Sequence, residues 1–131
     1  MAPYEDCRKL LAADKSEGIP ECASAMAKAA GSLLEEAGAH RKHVAVAATA
    51  LAEIGPDLVE QRLAFGEVSQ GIVGLLSDAP NEAKKYHIFE CPMAEGYKRW
   101  VQVSEEIANP YMGTKMLACG SKIEPMGEPA N

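Results

Sequence analysis

Four apolar stripes at helical spacing follow one another through the first 77 residues, and they limit the fold more than anything else in the chain. Tyr4, Cys7 and Leu11 recur at steps of three and four. Ile19, Cys22, Met26, Ala30, Leu33 and Ala37 repeat the pattern, as do Val44, Ala47, Leu51 and Ile54, and then Leu58, Phe65, Val68, Ile72 and Leu75. Each set is the buried face of an amphipathic helix. The punctuation agrees. Gly18 and Pro20 separate the first stripe from the second, and Pro20 suits an early helical position. Gly38 is placed as a helix stop after Leu33 to Ala37, and Gly55-Pro56 closes the third segment and opens the fourth. Short connections favour antiparallel neighbours, so the expected fold is all-α: an up-down-up-down four-helix bundle followed by an irregular C-terminal lobe.

A chain of 131 residues is expected to form one domain around one core. Aromatics are only 5% of the chain, so that core must be built from Ala, Leu, Ile, Val and Met. The reading divides residues 1–120 into a bundle (1–77) and a lobe (86–120), with a mobile tail over 121–131. Ser77 to Asn81 is a loop signal. Tyr86-His87-Ile88-Phe89 is too short for a helix and reads as a small strand or an extended approach to Cys91. One or two short helices are expected in the lobe, such as around Ser104 to Ile107.

The net charge is −6 and the pI near 5.1. That argues against sequence-independent binding to nucleic acid, which needs a basic surface. No basic cluster would draw the chain to anionic lipid, and no apolar run is long enough to span a bilayer. Met1 to Asp6 lacks the basic and apolar regions of a signal peptide. That fits either a cytosolic protein or a mature domain cut from a longer secreted precursor. Four cysteines leave the compartment open, since an even count suits disulfides, a metal site or buried thiols.

The chemistry is concentrated near the C-terminus. Cys91, Met93, Met112, Met116 and Cys119 fall within thirty residues that also hold Trp100, the only tryptophan. Cys-x-Met is followed by Met-x-x-Cys in mirror order. If the ends of the lobe meet, Cys91 and Cys119 supply two thiolates and Met93 and Met116 two thioethers, with Met112 and His87 as further donors. Such a set suits Cu(I) or Ag(I). Zinc is a poorer match, because it has little use for Met. The competing reading is a Cys91–Cys119 disulfide, worth roughly 3 kcal/mol to an irregular lobe with a loop of this length. Spacing alone leaves both open. Asn109-Pro110-Tyr111-Met112-Gly113 is a turn-forming run that would swing Met116 and Cys119 toward Cys91, and Trp100 would anchor the lobe on the bundle.

Cys7 and Cys22, on the core faces of the first two helices, read as buried free thiols. An axial offset of roughly 10 Å between them argues against a disulfide. His40 and His43, spaced by three beside Arg41-Lys42, read as a solvated helix end rather than metal ligands. Nothing groups a nucleophile with a base, and no glycine-rich phosphate loop occurs.

The run Cys91, Pro92, Met93, then Trp100, then Ile107, Asn109, Pro110, Tyr111, Gly113, Met116, Cys119 and Gly120 resembles a small domain of unknown function. That domain occurs at the ends of copper/silver-type heavy-metal efflux adaptor proteins and as stand-alone exported bacterial proteins. This chain departs from it in having Met112 where an aromatic is usual and in a short stretch between Met93 and Trp100. The resemblance implies a periplasmic or otherwise exported helical domain linked to copper or silver handling, with efflux adaptors or metallochaperones as partners. The expected function is therefore a Cu(I)- or Ag(I)-binding module and not an enzyme. One rival is a disulfide-stapled docking domain that binds no metal. Others are a thiol oxidoreductase, disfavoured because no Cys-x-x-Cys opens a helix, and a sensor of Hg(II) or another thiophilic ion.

Overall fold

The computed structural model describes residues 2–31 and 39–123. Four main helices lead the chain: α1 (Ala2–Ala12), α2 (Ile19–Gly31), α3 (Ala39–Glu53) and α4 (Leu58–Ser77). A single turn, α5 (Pro80–Ala83), precedes strands β1 (His87–Glu90) and β2 (Arg99–Gln102). A 3₁₀ turn (Gly113–Met116) and the two-residue strand β3 (Ser121–Lys122) complete it.

The stripes do what their spacing requires. Tyr4, Cys7, Leu11, Ile19, Cys22, Met26, Val44, Ala47, Leu51, Phe65, Val68 and Ile72 are buried in one core. Small residues bring helices close: a Cβ on Gly71 of α4 would stand 2.6 Å from Val44 Cγ2 on α3. Asp57 caps α4, its Oδ1 accepting from the backbone N–H groups of Val59 (2.8 Å) and Glu60 (3.3 Å). The helix stop placed at Gly38, with Leu33 to Ala37, lies outside the described residues.

The all-α expectation needs correction. The chain is mostly helical, but the lobe is organised by a three-stranded antiparallel sheet of order β2-β1-β3. β1 matches the first of the two alternatives for Tyr86 to Phe89, a small strand or an extended approach to Cys91. β2 and β3 pair with β1 on either side, an agreement between segments that no local pattern in Arg99 to Gln102 or Ser121-Lys122 announces. The sheet also takes the start of the expected tail: Ser121 and Lys122 pair with Glu90 and Phe89, and the Ile123 N–H donates to Ile88 O at 2.9 Å. Residues 124–131 lie outside the described residues.

The helix expected around Ser104 to Ile107 does not form. Buried Gln102 captures that segment instead. Its Nε2 donates to the carbonyls of Ser104 (2.9 Å) and Glu106 (2.7 Å), while its Oε1 accepts from Trp100 Nε1 (2.9 Å) and Ala108 N (3.3 Å). A satisfied buried amide outbids the weak local propensity.

Cys7 and Cys22 are not free thiols: they form a disulfide with Cα atoms 5.8 Å apart. The offset argument failed because α1 ends at Ala12 and the chain reverses at once, with Asp14 at φ 60° and Lys15 N bonded back to Leu10 O. Cys7 then lies five residues before the end of α1 and Cys22 three after the start of α2. Their axial positions differ by only about 3 Å at 1.5 Å per residue.

The helix so tied covers the outer border of the sheet. The hydroxyl of Tyr4 accepts from Val101 N (3.1 Å), and Glu5 Oε1 accepts from Val103 N (3.3 Å). Arg8, paired with Glu5 through two hydrogen bonds, donates to Ala108 O (3.3 Å). Arg62 on α4 makes a second tether, donating to Pro110 O (2.9 Å), Leu11 O (2.8 Å) and Asp14 Oδ1 (2.6 Å). Thr114 of the lobe donates its hydroxyl to Asp14 Oδ2.

Candidate metal centre

The two cysteines of the lobe are brought together by the sheet. Cys91 follows β1 directly and prolongs its ladder, its N–H donating to Lys98 O at 2.8 Å. Its carbonyl accepts from Ala94 N (3.2 Å), which starts the turn through Pro92 and Met93. The β1–β3 register, Glu90 opposite Ser121, sets Cys91 across from Gly120 and next to Cys119. Gly120 has φ 127°, and a Cβ there would lie 2.8 Å from Glu90 O and 3.2 Å from Trp100 Cη2. Only glycine allows the chain to pass so close.

Asn109 fixes the other side. Its Oδ1 accepts from the N–H groups of Tyr111 (2.8 Å) and Met112 (3.1 Å), an Asx turn, while its Nδ2 donates to Cys119 O (2.8 Å) and its own N–H to Leu117 O (2.8 Å). The turn-forming run therefore delivers Cys119 to Cys91. The Sγ atoms stand 3.6 Å apart across 28 residues of sequence, both as free thiols. Cys91 is fully buried and Cys119 half-buried. The thiol–thiol hydrogen bond and burial push the Cys119 thiol up, because its proton is shared with Cys91 and a thiolate there would face the other sulfur.

Trp100 forms the floor. It is fully buried, stacks on Phe89 (ring centroids 5.5 Å apart) and meets Tyr111 edge-on (5.9 Å). Tyr111 packs on Phe65 of α4 and donates its hydroxyl to Arg99 O (2.5 Å). Burial holds the Tyr111 phenol well above its ordinary range, so it stays neutral.

The thioethers are less tightly placed. Met116 ends the 3₁₀ turn, with its carbonyl accepting from Cys119 N (2.9 Å) and its side chain 37% exposed. Met93 is 62% exposed and shares an open cleft with Met112, Leu63 and Val59. His87 does not join the cysteines: it opens β1 opposite Gln102, about 13 Å from Cys91 at the usual rise of a strand. Among the described residues no three His, Cys, Asp or Glu side chains stand close enough together to hold a metal ion. His40 and His43 remain exposed and link α3 to α4, His43 bonding Glu67 O at 2.8 Å and His40 lying 3.6 Å from Asp78.

Sequence reasoning credited Asn109 with a local turn but missed its bond to Cys119 and the Cys7–Cys22 bridge. The bridge had a signal: two cysteines 15 residues apart, on the apolar faces of helices flanking one turn. Comparison with protein-family models, with curated proteins and with solved structures finds no match to this chain.

Proposed function

We propose that this chain is a soft-metal binding module that carries Cu(I) or Ag(I) as cargo, with Cys91 and Cys119 as thiolate ligands. The observation that carries the reading is the 3.6 Å separation of the two sulfurs. For comparison, two thiolates on a tetrahedral zinc ion, at about 2.3 Å each, stand about 3.8 Å apart, so a pair at this separation is within reach of one shared metal ion. Met116 and Met93, the thioethers nearest in sequence to each cysteine, complete the set, with Met112 in reserve; soft donors of this kind favour Cu(I) and Ag(I). Metal would enter from the half-buried Cys119 side and leave by ligand exchange.

The resemblance of Cys91 to Gly120 to the end domain of copper/silver efflux adaptors supports a role in metal resistance or delivery, with an adaptor or metallochaperone as partner. The buried Cys7–Cys22 disulfide supports an oxidising, periplasmic or otherwise exported setting. Among the described residues no helix is long and apolar enough to cross a membrane. We read the chain as a binding module and not an enzyme, since neither lobe cysteine opens a helix that would lower its pKa. The short connections after α1 and α3 further suggest that consecutive helices alternate in direction.

Anaerobic titration of the lobe-reduced protein with Cu(I) against a competing chelator tests this. One tight equivalent, lost in a Cys91→Ser, Cys119→Ser double variant, is the expected result. Equal competition by wild type and variant would overturn the assignment. A second reading rests on the same separation: the pair is also close enough to oxidise, which would make the lobe a disulfide-stapled docking module. Thiol counting on protein purified in air separates the two, since the stapled form has two fewer thiols.

A further inference from the structure

We propose that Cys119 is a modification site for low-molecular-weight disulfides such as oxidised glutathione, and that Cys91 is the resolving thiol that converts the adduct into a Cys91–Cys119 disulfide. The inference comes from the unequal settings of the two sulfurs. Cys91 is fully buried, fixed at the end of β1 by its ladder bond to Lys98 and hidden from any reagent in solution. Cys119 is half-buried on a surface segment whose neighbours Ala118 and Gly120 are exposed. A dissolved disulfide can meet only Cys119. Once Cys119 is modified, its nearest nucleophile is Cys91, whose sulfur stands 3.6 Å away. Closing that gap to the roughly 2.0 Å of a sulfur–sulfur bond needs side-chain rotation and a small backbone shift.

The exchange balances in two steps. The Cys119 thiolate attacks one sulfur of oxidised glutathione; a Cys119–glutathione bond forms, the glutathione disulfide breaks, and one glutathione thiolate leaves with the electron pair. The Cys91 thiolate then attacks Cys119 Sγ; the protein disulfide forms and the second glutathione thiolate leaves. The protein pair loses two electrons and two protons, and one glutathione disulfide becomes two thiols. The exchange stands without any metal. Its consequence, that oxidation removes both soft ligands and closes the site to cargo, rests on the proposed metal-binding reading.

The test treats lobe-reduced full-length protein with oxidised glutathione, quenches at intervals with an alkylating agent, and locates the adducts by intact mass and peptide mapping. Wild type is expected to show a transient adduct on Cys119 and then the Cys91–Cys119 disulfide. Cys91→Ser is expected to stop at a stable Cys119 adduct, and Cys119→Ser to be modified at least about tenfold more slowly than Cys91→Ser. Denaturant should abolish that difference, tying it to the fold. An early adduct on Cys91 in wild type would overturn the proposal, and so would equal rates in the two folded variants or a wild-type adduct that never resolves. The wild-type time course does not depend on the variants folding. Exchange without Cu(I) binding would sink the metal reading alone; Cu(I) binding without exchange would sink this one alone.

Discussion

Asp14 shows how much one side chain can organise. It sits at positive φ where α1 ends, and its carboxylate gathers Arg62 from α4 and Thr114 from the lobe. Hydrogen bonds from Thr114 and then Arg62 hold its pKa below the ordinary carboxylate value. A depressed folded-state pKa means stability that is fully present above the unfolded value, about 4, and lost as pH falls through the folded one. Asp14→Asn keeps a residue tolerant of positive φ and removes the charge. It should lower Tm at pH 7 by no more than about 4 °C, since the pair is partly solvated. The difference from wild type should shrink as pH drops below about 4. Thermal unfolding of both proteins from pH 7 to pH 3 checks the sign; a gap that widens in acid would refute it.

Among elements, the turn from Asn109 to Cys119 has the most consequence for the site. Its regularity comes from one amide that bonds forward to Tyr111 and Met112 and across to Cys119. Asn109→Ala leaves those buried groups without partners, at a cost of about 2–4 kcal/mol. Denaturant unfolding should show that loss, and diamide-driven closure of Cys91 with Cys119 should slow. Closure at the wild-type rate would mean that β3 alone holds the two thiols together. The elements also show where sequence reading reaches its range. The apolar stripes of the helices lie within single segments, so Tyr4, Cys7 and Leu11 announce a buried face by themselves. The pairing of Phe89 with Lys122, and Gln102's capture of Ser104 to Ala108, are agreements between segments, and no local pattern encodes them. The candidate site lies between these cases. The approach of Cys119 to Cys91 was legible from the turn residues. The burial of one sulfur and not the other was not, because it depends on how the whole lobe packs and not on residues near either cysteine.

At the scale of the whole molecule, the Cys7–Cys22 bridge ties α2 to α1, which accepts hydrogen bonds from the outer border of the sheet through Tyr4 and Glu5. It closes a 15-residue loop, worth about 3 kcal/mol. A Cys7→Ala, Cys22→Ala variant should lose about that much in chemical denaturation while retaining its helical circular dichroism. A loss well under 1 kcal/mol would mean that Tyr4, Glu5 and Arg8 already hold α1 in place without it. The same helix governs how one copy of the protein meets another. The sheet has two borders. That of β3 is two residues long, exposed and lysine-bearing, and such a border is a poor template for another strand. That of β2 is four residues long; Tyr4 of α1 accepts from its Val101 N–H, and Tyr111 of the lobe donates to its Arg99 carbonyl. Once reductant opens the bridge and α1 lifts, the N–H groups of Val101 and Val103 lose their partners and become a template for other chains. Loss of the bridge should therefore register first as turbidity that grows with protein concentration, ahead of any loss of helix.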